Sequence, residues 1–132
     1  MSLPIRLAAT LAGASLVTGC LLAAAGAGAG GAIYVSDRGV ESTVAVSPDR
    51  TLVAARAAFQ AYDVRETKTS SEQEGAVSKR TLEGATSDRE VTVTIRTEGT
   101  GSRVVVVAAK TAVTWDKEFA RAILERISAE VR

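Results

Sequence analysis

Val91-Thr-Val-Thr-Ile-Arg-Thr97 alternates apolar and polar side chains without a break, and Glu98-Gly-Thr-Gly101 and Arg103-Val-Val-Val-Val-Ala-Ala109 follow it directly. Strict alternation marks a strand with one face in a core and the other in water, which puts Val91, Val93 and Ile95 inward. The Gly-containing link folds the second run back on the first as a hairpin. Working outward, Ala76 to Leu82 reads as another strand and Val64 to Thr69 as a short polar one. Val40 to Val46 is β-branched and reads as the first strand. Ser47-Pro48 then opens a helix, with Ser as N-cap and Pro at the first helical position. Leu52, Ala55, Phe59 and Tyr62 recur on one face of that helix. A last helix runs from its N-cap Asp116 to about Val131, and Phe119, Ile123 and Ile127 line its apolar stripe. The predicted fold is α+β, a two-layer sandwich of order β-α-β-β-β-β-α. It has an antiparallel sheet of four or five strands with two helices on one face.

The chain has 132 residues, 46% of them apolar but only 4% aromatic, so its core is built from Val, Ala, Leu and Ile. Charge is unevenly placed. Arg6 is the only charged residue before Asp37, and the stretch Leu7 to Val35 has none. The ~97 residues beyond Ser36 form one soluble domain, able to bury roughly 60–65% of its unfolded surface without disulfides or metal. With 16 basic and 15 acidic residues the net charge is +1. No basic run with interleaved aromatics offers a phosphate-backbone face, so nucleic acid is not an expected partner. Histidine is absent, which removes the commonest general base and metal ligand. A single Cys permits no internal disulfide.

Residues 1–19 read as a targeting segment: Arg6 supplies a positive start and Leu7 to Leu16 an apolar stretch too short to span a bilayer. Val17-Thr18-Gly19-Cys20 resembles the lipobox of bacterial lipoproteins. The resemblance implies that the Cys20 thiol takes a diacylglyceryl group and that the chain is cut before it. Two or more acyl chains anchor stably, because each buried CH2 contributes about 0.8 kcal/mol. Residues 20–39 then form a lipidated Ala/Gly-rich tether reaching roughly 20 Å, and 40–132 the domain. The competing reading leaves Cys20 unprocessed and makes Leu7–Val35 one transmembrane helix.

The whole layout resembles a family of small bacterial lipoproteins of unknown function. The matching stretches are Val17–Gly31, Val44–Tyr62, Val91–Ile95 and Phe119–Ile127. The resemblance implies a cell-envelope protein held to the membrane through its N-terminal lipid, and brings no active site. With Leu rather than Asp at position 21, it implies the periplasmic face of the outer membrane if the host is Gram-negative.

No Gly-x-Ser-x-Gly elbow is present, no histidine could activate a hydroxyl, and no Lys-bearing glycine loop could cradle a phosphate. Glu72 and Glu74 share a face with Glu66 nearby, and a carboxylate pair there could bind Ca2+ weakly, but a solvated polar loop between strands is the plainer reading. The chain is therefore expected to be no enzyme and to carry no cofactor or metal. One run departs from pattern: Val104 to Ala109 is apolar on both faces. Either the stems of Arg96 and Arg80 shade Val105 and Val107, or these two form a contact surface with Trp115 just beyond. The expected function is an envelope binding or scaffolding module with an envelope protein as candidate partner. The alternative is a carrier or sensor of a small apolar ligand.

Overall fold

The computed structural model describes residues 32–111 and 113–132. The segments read from sequence as a signal peptide, a lipobox with Cys20, and a tether as far as Gly31 lie outside them, as does most of Leu7–Val35. The described elements are β1 (Tyr34–Val35), β2 (Gly39–Val44), α1 (Pro48–Ala61), β3 (Arg65–Glu74), β4 (Val77–Ala85), β5 (Glu90–Glu98), β6 (Gly101–Ala109) and α2 (Lys117–Glu130). All six strands join one open sheet in the order β1-β2-β6-β5-β4-β3, and every neighbouring pair is antiparallel.

The α+β class and the antiparallel sheet agree with the sequence reading, but the sheet has six strands rather than four or five. The extra strand, β1, falls within residues 20–39, the range assigned to the tether. Ile33-Tyr34-Val35 carries β-branched and aromatic residues just after the Ala/Gly run. The Ser36 backbone N–H donates to the Gly39 carbonyl at 2.8 Å, turning the chain so that Tyr34 pairs with Glu41 and Val35 with Val40. A two-residue strand is too short to show periodicity, so the tether composition masked it.

Both helices begin where their capping residues place them. Ser47 Oγ accepts from the Arg50 N–H at 3.3 Å, with Pro48 first in α1 and Asp49 in its first turn. The Asp116 carboxylate accepts from the Phe119 N–H at 3.0 Å at the start of α2. Between Glu98 and Gly101 the link contains Gly99 at φ 60°, a conformation glycine adopts without strain.

The buried strand residues alternate as the period-two reading requires. Val91, Val93 and Ile95 on β5 and Val104, Val106 and Ala108 on β6 are almost wholly buried. They share one core cluster with Leu52, Ala55 and Phe59 of α1 and Ile123, Leu124 and Ile127 of α2. Tyr62, placed on the inner face of the first helix by spacing, is partly exposed at its C-cap, with its ring edge-on to Phe119 at 5.9 Å. A polar tie closes the corner where α1 meets β6. Ser102 Oγ donates to the Val46 carbonyl at 2.7 Å and lies 3.3 Å from Thr51 Oγ1.

Gly84 on β4 lets Phe59 approach the sheet. A Cβ there would stand 2.6 Å from Phe59 Cε2 and 2.9 Å from the Arg65 carbonyl oxygen. Gly84→Ala is expected to lower stability by roughly 1–3 kcal/mol through overpacking, read as a reduced urea midpoint. Adding Phe59→Leu should recover part of that loss; an unchanged midpoint in the single variant would contradict the packing described.

Candidate functional site

Strand register aligns the residues of the opposite sheet face into rows. Thr81, Thr94, Val105 and Glu41 form one row across β4, β5, β6 and β2. Lys79, Arg96, Arg103 and Thr43 form the next, and Glu83, Thr92 and Val107 a third. Val105 and Val107 are half-buried here, whereas their neighbours Val104 and Val106 have no exposure. Of the two arginines expected to shade them, Arg96 is on this face and lines a depression with Val105. Arg80 is not: its guanidinium pairs with Asp49 of α1 at 3.0 Å, because its partner in the ladder is the inward-facing Ile95.

Val107 and Trp115 line one open groove of ≈ 660 Å³ at the end of the sheet. Its floor includes Val107, Ala109 and Thr92, and its rim comes from the β4–β5 turn and the β6–α2 loop. Trp115 is held by a bridge to Ala109, and the Arg38 guanidinium lies 5.4 Å from its ring centroid. Val105 is not in this groove. It lies one row along, in a depression of ≈ 280 Å³ with Lys79, Thr94, Arg96 and Arg103. The three residues read from sequence as a contact surface therefore share a region but occupy two adjoining hollows.

Arg89 holds the groove's rim. Its Nε is 2.7 Å from Asp116 Oδ2 and its Nη1 3.3 Å from Asp88 Oδ1, while its guanidinium stacks 4.8 Å from the Phe119 ring centroid. The β4–β5 turn is thus tied to the N-cap of α2. The Phe119 N–H bonded to Asp116, with Arg89 beside it, holds the Asp116 carboxyl below its ordinary range. On the neighbouring row the Glu41 carboxylate, 2.6 Å from Arg103, raises the pKa of that guanidinium. Glu72 is 3.9 Å from Lys79.

Of the carboxylates weighed for Ca2+, Glu72 and Glu74 line one shallow hollow together with Lys79 and Arg96, whereas Glu66 is drawn toward α1. Glu66 bonds Thr69 and Arg56 of α1, which lower its pKa, whereas Glu72 pairs with Lys79 across the β3–β4 ladder. Among the described residues no group of three or more Cys, Asp or Glu could hold a metal ion. Among them, too, no helix is long and apolar enough to cross a membrane.

Lys79, Arg103 and Arg89 were not singled out by sequence, and Arg96 was named only as a stem that shades Val105 and Val107. The hairpin link offered a signal for one pair: with Glu98 opposite Gly101, Arg96 must face Arg103. Aligning Lys79 with them needs the β4–β5 register, which no two-residue link sets.

The chain belongs to the family described as protein of unknown function (DUF3568), which matches residues 3–130. No curated protein and no solved structure matches it.

Asp116→Ala removes both the helix cap and the partner of Arg89. The expected loss is about 1–2 kcal/mol at neutral pH, measured by chemical denaturation. Because the folded-state carboxyl titrates below its ordinary value of 3.8, its contribution is complete above that value and lost as pH falls through the depressed one. The gap between wild type and variant should therefore close in acid; a gap constant down to strongly acid pH would contradict this role.

Proposed function

We propose that this DUF3568 protein is a lipid-anchored lipoprotein of the bacterial cell envelope, whose domain binds another envelope component through the open face of its sheet. The anchor rests on the sequence of residues 1–20: one basic residue, a short apolar stretch and Val17-Thr18-Gly19-Cys20 around the only cysteine. In a Gram-negative host, Leu21 favours the periplasmic face of the outer membrane. The observation that carries the binding role is the groove shared by Val107 and Trp115. A small apolar patch at Val107 and Ala109, an aromatic wall and a polar, charged rim form the arrangement that protein contact surfaces use. The layer between sheet and helices is filled by fully buried side chains such as Leu82, Ile95, Ile123 and Ile127, so the reading favours a partner on the open face over an apolar cargo inside.

Cys20→Ala should abolish incorporation of a clickable fatty acid and release the protein from the membrane fraction. Retention of the variant in membranes would sink the lipid anchor and favour Leu7–Val35 as a span. A photo-crosslinking residue at position 107 should capture an envelope protein in cells, while the same residue at the exposed position 53 of α1 should not. Equal capture at both positions would count against the groove.

A further inference from the structure

We propose that Lys79, Arg96 and Arg103 form a binding site for a phosphate group on the open face of the sheet. The three cations sit at directly opposing positions of three adjacent strands, Lys79 with Arg96 and Arg96 with Arg103. Adjacent strands are about 4.8 Å apart, so the three stems stand within a span of about 10 Å, the reach of long side chains around one tetrahedral anion. They surround a depression of ≈ 280 Å³ with Thr94 and Val105 in its lining. Like charges directly opposite one another destabilise a sheet, and a bound anion converts that repulsion into attraction.

The Arg96 side chain, at the centre of the row, makes no hydrogen bond or ion pair among the described residues. Its five N–H donors lack a protein acceptor there. The flanking cations have carboxylate partners: Lys79 has Glu72, opposite it on β3, at 3.9 Å, and Arg103 has Glu41, from the next row, at 2.6 Å. Arg103 spends one terminal nitrogen on Glu41, which leaves donors free to turn inward. The Lys79–Glu72 contact is long and exposed, so the ammonium is readily drawn away. Glu98, two residues along β5 from Arg96, and Glu74, which lines a hollow with Arg96, also face this side of the sheet. Recognition therefore rests on donor geometry rather than net charge: an unpaired planar fork at the centre and a hydroxyl from Thr94 match a phosphate oxyanion better than a neutral ligand. The phosphate can belong to a lipid headgroup or to a small soluble molecule; the chemistry of recognition is the same.

This inference deepens the reading of the open face as a binding surface and rests on it. Its test uses no protein partner, so its failure leaves the crosslinking result at position 107 to stand or fall separately. The full chain in neutral detergent is titrated calorimetrically, at low salt, with inorganic phosphate and with glycerophosphoglycerol, a soluble phospholipid headgroup. Binding of either probe, weakened at least tenfold by Arg96→Gln and tightened by Glu41→Gln, is the expected result. Preference for glycerophosphoglycerol assigns the site to a lipid headgroup, and preference for inorganic phosphate to a small soluble ligand. Arg50→Gln, an exposed cation on α1, serves as the control and should change nothing, and circular dichroism confirms that each variant is folded. The proposal is overturned if neither probe binds, if folded Arg96→Gln binds as wild type does, or if Arg50→Gln weakens binding equally.

Discussion

The pairing of β2 with β6 is the constraint on which the remaining structure depends. It joins the strand before α1 to the last strand of the meander, with Val40 opposite Val106 and Val44 opposite Ser102. Four antiparallel steps separate β2 from β3, so these two strands point the same way and α1 must carry the chain from the second position of the sheet to its far edge. β6 is thereby paired on both sides, to β2 and to β5. A strand with two neighbours and an apolar face has little freedom of register, because a slip of one residue would exchange Val104 and Val106 for Val105 and Val107. The Ser102–Val46 hydrogen bond and the adjoining Thr51 hydroxyl fix the corner of the same pairing. They satisfy polar groups that would otherwise be stranded beside the core.

Much of this was legible because local chemistry and tertiary packing agree. The alternation Val91, Val93, Ile95 needs only the period of a strand, and Ser47-Pro48 and Asp116 need only the unpaired N–H groups of a helix start. What escaped depends on information no local window holds. β1 is two residues long and acquires its identity from β2. Arg80 was assigned to the wrong face because its strand carries mixed polar residues that do not alternate clearly; only its pairing with Ile95 shows that it faces Asp49. The end of β3 was read five residues short, since Ser70 to Glu74 is polar throughout and exposed on both faces, and its extended form comes from the β4 ladder. Val105, Val107 and Trp115 were found by their apolar character. Of the cations beside them only Arg96 was named, as a shading stem, since a charged residue on a strand is unremarkable until the register sets three of them abreast.

Stability and surface shape are coupled at one end of the molecule. Asp116 caps α2 through the Phe119 N–H and also receives Arg89 from the β4–β5 turn. The side chains that begin a helix therefore also set the rim of the groove beside Trp115. The Phe119 ring joins both roles, meeting Arg89 on one side and Tyr62 at the end of α1 on another. A change that loosens this contact alters groove geometry and fold stability together. By contrast, the Lys79, Arg96 and Arg103 row lies on regular strand backbone, where side chains can be exchanged with little effect on the core.

The sheet's edges direct contact toward its face. An open edge strand invites another chain to pair with it, and proteins blunt that tendency with charge, brevity or distortion. β3 combines two of these devices: Arg65, Glu66, Lys68, Glu72 and Glu74 line its exposed length, and the register shifts between Glu66 and Lys68. β1 uses brevity, with only Tyr34 and Val35 paired. Both edges are thus poor templates for strand addition. The open face instead presents half-buried Val105 and Val107, threonines at fixed strand spacing, and cations whose stems cover apolar surface while their heads stay wet. Side-chain recognition across that face, rather than backbone pairing at the rim, is the mode of association this architecture favours.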